Sequence, residues 1–284
     1  MLGRDDLVLC AGTLLASSLP ERAKAAQEAG YAGMSLWLAD VMQARRDGMT
    51  DADIRALFDD HGLEVAELDC LANWLPGTTA PPDLPFEVDD VMLATDHDFY
   101  AIAESIGGRS INAAEIFGSP TELDAAVDAF AGVCDRAAEH GLLVHLEFLP
   151  WSAFPNLNSA WDVIRLADRP NGGVLVDTWH CARGGTTPAD LAAIPGDRVL
   201  GVQLSDATAE PAYETITEET MRARLLPGDG VGHVIEFVRT LDRIGCRAPI
   251  GVEVFSDELA AMDPSEAARR VADATRRLLA EAAQ

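Results

Sequence analysis

Along the chain, short runs of consecutive apolar residues alternate with longer stretches whose apolar positions recur every three or four residues. Runs of the first kind predict strands covered on both faces, because a strand with one wet face shows strict alternation instead. Stretches of the second kind predict amphipathic helices. "LVLCAGTLL" precedes the helix "LPERAKAAQEAG", and "YAGMSLWL" precedes "MTDADIRALFDDHG". "LEVAELDCL" leads through a Pro-rich loop over 76–85 into a helix near 89–106, and "SINAAEIFG" precedes "SPTELDAAVDAFAGVCDRAAEHG". "LLVHLEFLP" comes before "NSAWDVIRLADRP", and "GGVLVDTWH" before the short helix "TPADLAAIPG". "VLGVQLSDA" is followed by a loop with one short helix and then "GHVIEFVRTLDRIG", and "PIGVEVFS" by the final helix "DPSEAARRVADATRRLLAEA".

These are eight strand–helix units. Helices closing on "EAG", "DHG", "EHG" and "RIG" place Gly where the chain turns left-handed. Ser119 and Asp263 are expected N-caps. Eight such units, with no linker between them, predict one TIM (β/α)8 barrel over residues 1–284, an α/β single domain. A doubly wound open sheet is the competing architecture, but no G-x-G-x-x-G follows the first strand. The Pro-rich loop and the segment around 207–226 are expected at one end of the barrel.

A net charge of −26 gives no basic face to neutralise phosphates, so nucleic acid is not an expected partner. No apolar run is long enough to span a membrane. "LVLCAGTLLASSLP" resembles a signal-peptide core, but Asp5 and Asp6 stand where positive charge is required. The five cysteines are scattered and form no C-x-x-C, as in a reduced, cytoplasmic protein. Lys24 is the only lysine and lies in a surface helix, which argues against Schiff-base chemistry and, with no convincing phosphate cradle, for a small non-phosphorylated substrate. Self-association as a homo-oligomer is left open.

In a TIM barrel the working groups stand at the C-terminal ends of the strands. Strand five ends with Glu147, strand six with Asp177, strand seven carries Gln203 and strand eight Glu253. Each is a polar residue inside an apolar run, and a buried carboxylate is costly unless paired or bound to a cation. Three carboxylates and an amide on four consecutive strands suit one divalent metal ion, Mn²⁺ or Mg²⁺, with Co²⁺ or Zn²⁺ as alternatives. His145 shares the side of its strand with Glu147, as metal support or substrate contact. Arg183 is expected to clamp the substrate, His233 to touch it from the rim, and Trp37, Trp74, Trp151 and Trp179 to wall a ring-shaped ligand. His61 and His140, each before a helix-ending Gly, are expected to be structural.

The motifs "HLEFLPW", "VDTWH", "GVQLSDA", "LLPGDGVGHV" and "IGVEVF" resemble the xylose isomerase-like TIM-barrel superfamily, in particular its sugar phosphate isomerase/epimerase branch. The resemblance implies that Glu147, Asp177, Gln203 and Glu253 bind one metal and that His180, in D-x-x-H, contacts substrate. The implied activity is isomerisation or epimerisation of a sugar, keto-sugar or cyclitol through an enediolate, with Glu147 and Glu253 exchanging the proton and His180 assisting. Gln203 departs from the His of many epimerases, and Ala153 stands where ketose 3-epimerases have a further Glu. The amide at Gln203 resembles that of dehydratases and points to the alternative of a metal-dependent dehydratase of a cyclic keto compound, a keto-inositol or 3-dehydroshikimate, while Ala153 counts against a simple ketose epimerase. A DNA-repair endonuclease is disfavoured by the charge and by only six histidines, and a non-catalytic accessory barrel by the intact ligand set.

Overall fold

The computed structural model of the protein describes residues 2–79 and 92–284. Eight parallel strands close into a barrel in chain order. They are β1 (Leu7–Leu9), β2 (Gly33–Trp37), β3 (Glu64–Leu71), β4 (Ser110–Ala114), β5 (Leu143–Glu147), β6 (Gly172–Asp177), β7 (Val199–Leu204) and β8 (Ile250–Val252). Closure falls on β1, where Leu9 stands opposite Met34 of β2 and Val252 of β8. β2, β4, β6 and β8 are buried almost without a break, as continuous apolar runs require. At Gly251 an added Cβ would fall 2.5 Å from the Val202 carbonyl oxygen, so only glycine lets β8 lie this close to β7.

The helices stop where the glycines predict. Gly30, Gly62, Gly141 and Gly245 all take positive φ. Asp263 caps the final helix, its carboxylate accepting from the N–H groups of Ser265 and Glu266. Ser119 is not a cap. The helix Leu123–Glu139 starts four residues later, because the Glu115 carboxylate holds the turn by accepting from Phe117, Gly118, Ser119 and Ala153 N–H groups. His61 accepts its structural role, its Nδ1 lying 2.8 Å from the Leu57 carbonyl oxygen.

Four boundaries differ from expectation. The run "LVLCAGTLL" holds a strand of three residues followed by a 3-10 turn, Ala11–Leu14, and both parts are buried. Apolar content therefore does not mark the change of conformation. Helices Leu38–Arg46 and Thr178–Gly184 extend directly from the ends of β2 and β6, inside stretches read as strand. The helix expected near 89–106 begins at Asp96, and its expected first residues 89–91, like 80–85 of the Pro-rich loop, lie outside the described residues. Among the described residues no helix is long and apolar enough to cross a membrane.

Candidate active site

A cleft of about 300 Å³ opens over the C-terminal ends of the strands. Its floor carries Asp69, Glu147, His180, Arg224 and Glu253, and its walls include Trp37, Leu149, Trp151, Met221 and Phe255.

The stretch "DTWHCARGG" builds one side of the floor. Asp177 ends β6 and caps the helix Thr178–Gly184, its Oδ1 accepting from the N–H groups of Trp179 at 2.7 Å and His180 at 3.0 Å. Gly185, at φ 71, closes the helix. Capping turns the chain so that His180 folds back beside its own cap residue. His180 Nε2 lies 3.3 Å from Glu147 Oε1 and 3.8 Å from Asp177 Oδ2. One donor atom from each of Glu147, Asp177 and His180 falls within 4.8 Å of the others.

Arg224 enters from the opposite side. The β7 end supplies Asp206, whose carboxylate accepts from the N–H groups of Gly228, Gly230 and Gly232 and gathers "PGDGVG" into a tight loop. Gly230 is required there, since a Cβ would lie 2.3 Å from the Ala207 carbonyl oxygen. Backbone bonds from Arg224 N–H to Phe255 O, and both ways between Leu225 and Asp206, then fix the approach of Arg224. Its guanidinium packs 4.7 Å from the Phe255 ring centre and donates to Thr220. Nη1 donates to Asp177 Oδ2 at 2.6 Å and to Glu253 Oε2 at 3.3 Å.

Asn112 ties two of the floor's carboxylates together from below. The Asn112 amide donates to Asp69 Oδ1 at 2.9 Å and to Glu147 Oε2 at 2.7 Å. Asp69, Glu147, Asp177 and Glu253 thus share one guanidinium among four buried carboxylates. The electrostatics follow. Burial would raise Asp177, but Arg224, His180 and the His180 N–H override it and hold its carboxyl below the usual range. Burial, with the charges of Asp69, Glu147 and Asp177, pushes Glu253 well up despite Arg224. Burial and the Glu147 charge push Asp69 up to about 7.

This shift gives a test. Between the ordinary carboxyl range and pH about 7, folded Asp69 keeps a proton that the unfolded chain has released, so its contribution to stability is lost as pH rises through that window. In chelated protein, Asp69→Asn is expected to melt near the wild type at about pH 5 and several degrees above it at about pH 8. Parallel melting profiles for the two proteins would remove Asp69 from the acidic cluster.

The sequence-predicted residues divide. Glu147, Asp177, Glu253 and His180 come together, and Trp37 and Trp151 line the cleft. Gln203 stands in register between Asp177 and Gly251, buried beneath the floor. His145 does not reach the cleft. It points into the barrel interior, where Nε2 lies 3.0 Å from Ser110 Oγ and 3.1 Å from Glu67 Oε2. Burial drives its pKa down to about 3, so the ring is neutral. Arg183 does not line the cleft: its guanidinium is engaged by Glu219 at 2.5 Å and by Thr208, which pins the β7 loop to the helix Thr178–Gly184. Trp179 is fully buried between Arg183 and Arg224, and Trp74 packs on Phe130 and Phe154. His233 is exposed at the start of Val234–Arg243, beside a separate surface pocket. Glu67, Asp69, Asn112 and Arg224 escaped sequence reasoning. The first three obey the rule used for the later strands, a polar residue inside an apolar run; Arg224 lies in a loop and offers no such signal.

The donor set fits a divalent cation. Carboxylates outnumber the buried positive charge, and Gln203 Oε1 and His180 Nδ1 are buried with no hydrogen-bond partner among the described residues. Only part of the expected set converges in the protein alone, with His180 beside Glu147 and Asp177, and Gln203 held back.

An acidic, metal-competent centre over the C-terminal ends of a closed parallel barrel defines a (β/α)8 protein with a site of the metal-binding type. The chain belongs to the xylose isomerase-like TIM barrel family, whose model matches residues 23–278. It is 28% identical over 251 residues to a 3-dehydroshikimate dehydratase of Pseudomonas aeruginosa, a match covering 86% of this chain but only 37% of that relative. It is 24% identical over 143 residues to an inosose isomerase of Bacillus subtilis, covering half of each chain. The fold is that of the IolI protein solved with a bound zinc atom, with a TM-score of 0.84 at 18% identity over 97% of this chain and 98% of that one.

Proposed function

We propose that this barrel is a divalent-metal-dependent isomerase or epimerase that moves a proton at the carbon beside a carbonyl of a small, ring-shaped polyhydroxy compound, a keto-cyclitol or cyclic sugar. The observation that carries the reading is the charge imbalance of the cleft floor, four buried carboxylates against one guanidinium, which calls for a further cation. Glu147, Asp177, Gln203 and Glu253 would hold it, with Mn²⁺ or Mg²⁺ suited to oxygen donors and Zn²⁺ supported by the zinc of the IolI structure. Such an ion supplies Lewis-acid stabilisation of the negative charge that develops on the carbonyl oxygen.

The chain's own residues do the rest. Glu147 and Glu253 rise from β5 and from the end of β8, on different sides of the barrel mouth, so one removes the proton while the other returns it. His180, beside Glu147, carries a proton to or from a substrate oxygen. Trp37, Trp151 and Phe255 offer flat apolar faces to a ring and keep water from it. Arg224 is the only guanidinium or ammonium among the described lining residues, and it is already paired, which favours an uncharged substrate over a phosphorylated one.

Dehydration of a cyclic keto compound is the second reading, favoured by the relationship to the Pseudomonas enzyme and by an amide at Gln203. In it the same proton abstraction is followed by loss of a β-hydroxyl. The two separate in deuterated water, with metal-loaded protein offered keto-inositols, ketoses and 3-dehydroshikimate. Isomerase chemistry should exchange the α-hydrogen of a keto-inositol or ketose for deuterium; dehydratase chemistry should consume dehydroshikimate with new ring absorbance. Absence of exchange and of consumption throughout, in protein carrying stoichiometric metal, would reject both.

A further inference from the structure

Below the cleft floor the barrel interior holds a second polar group that the proposed chemistry does not touch, Ser110, His145 and Glu67, and this group reaches Gln203 of the proposed metal set. Its proton positions follow from counting donors. Ser110 has one hydroxyl hydrogen and donates it to the Ala66 carbonyl oxygen at 2.9 Å. Ser110 Oγ can therefore only accept from His145 Nε2, which must carry a hydrogen. That same N–H faces Glu67 Oε2 at 3.1 Å. The other oxygen, Glu67 Oε1, accepts from the Gln203 amide nitrogen at 3.4 Å. In the structure the nitrogen end of Gln203 faces Glu67 and the oxygen end faces away. That oxygen is buried and has no partner among the described residues, although Gln203 is only 2% exposed.

We infer that Glu67 is a positioning residue for metal binding: it holds the Gln203 amide with its oxygen free, and His145 and Ser110 hold Glu67. The inference rests on the metal reading proposed above and extends it to residues that touch neither metal nor substrate. An amide can turn either face to a cation, and only the oxygen face binds one. Without Glu67 the wrong face is equally available. Metal ligands oriented by such outer partners typically lose about 10–100-fold in affinity when the partner is removed.

The test is Mn²⁺ binding by the full chain, read as free ion in the electron paramagnetic resonance spectrum, with melting of the chelated protein as the control for folding. Glu67→Gln, which keeps size and shape, is expected to weaken Mn²⁺ binding about 10–100-fold with little change in melting. In a Gln203→Ala background, where there is no amide to orient, Glu67→Gln should cost nothing further. The exchanged pair Glu67→Gln with Gln203→Glu keeps the charge and the hydrogen bond, leaves one carboxylate oxygen free, and should restore binding to near the wild-type level. Should Glu67→Gln unfold the chelated protein, the exchanged pair and the Gln203→Ala variants still decide. An unchanged Mn²⁺ affinity in Glu67→Gln, or a loss that persists in full in the Gln203→Ala background, overturns the positioning role. Wild-type protein that takes up no divalent ion overturns the metal reading itself.

Discussion

Glu253→Gln is expected to lower kcat/KM by more than the ~10²–10⁴-fold typical of a lost acid or base, because it removes a proton carrier and a metal-binding charge together. It also leaves the Arg224 guanidinium with Asp177 as its remaining carboxylate partner. The effect should appear in kcat as well as KM, with metal content measured for each preparation, since loss at a group used only in the transition state lowers kcat and kcat/KM alike. Activity close to wild type in metal-replete Glu253→Gln would place the proton transfer elsewhere.

His180→Ala should cost about 10²–10⁴-fold in kcat while the protein keeps its metal. The ring stands between Glu147 and the edge of Trp151, 5.6 Å between ring centres, so it faces the cleft from a fixed position. Its backbone, not its ring, is what Asp177 caps, and removing the ring leaves the helix start intact. Steady-state kinetics on the substrate found by the exchange experiment, with metal analysis alongside, separate the outcomes. Loss of the metal in this variant would make His180 a ligand; full activity would make it a bystander and "DTWHCARGG" merely a capped polar turn.

The eight strand–helix units, the parallel barrel, the helix-ending glycines and the convergence of Glu147, Asp177, Glu253 and His180 on one end were all legible in the amino-acid order. Periodicity, glycine conformation and the cost of burying a carboxylate are local properties, and each leaves its mark within a few residues. Depth within the barrel and choice of partner are not local. His145 and Glu147 share a side of β5, yet one pairs with Glu67 in the interior and the other lines the cleft, because two residues along a strand is a whole layer of the barrel. Arg183 and Arg224 look alike in sequence. The first is drawn to Glu219, 36 residues away, and the second to Asp177, 47 residues away. Which arginine reaches the carboxylates is decided by a loop that Asp206 and three glycines fold against β7. The sequence by itself therefore determined the barrel and the acids at its mouth, while only the tertiary structure decided which cation meets them and which amide face is left free, because those depend on distances between strands and loops that no short stretch encodes.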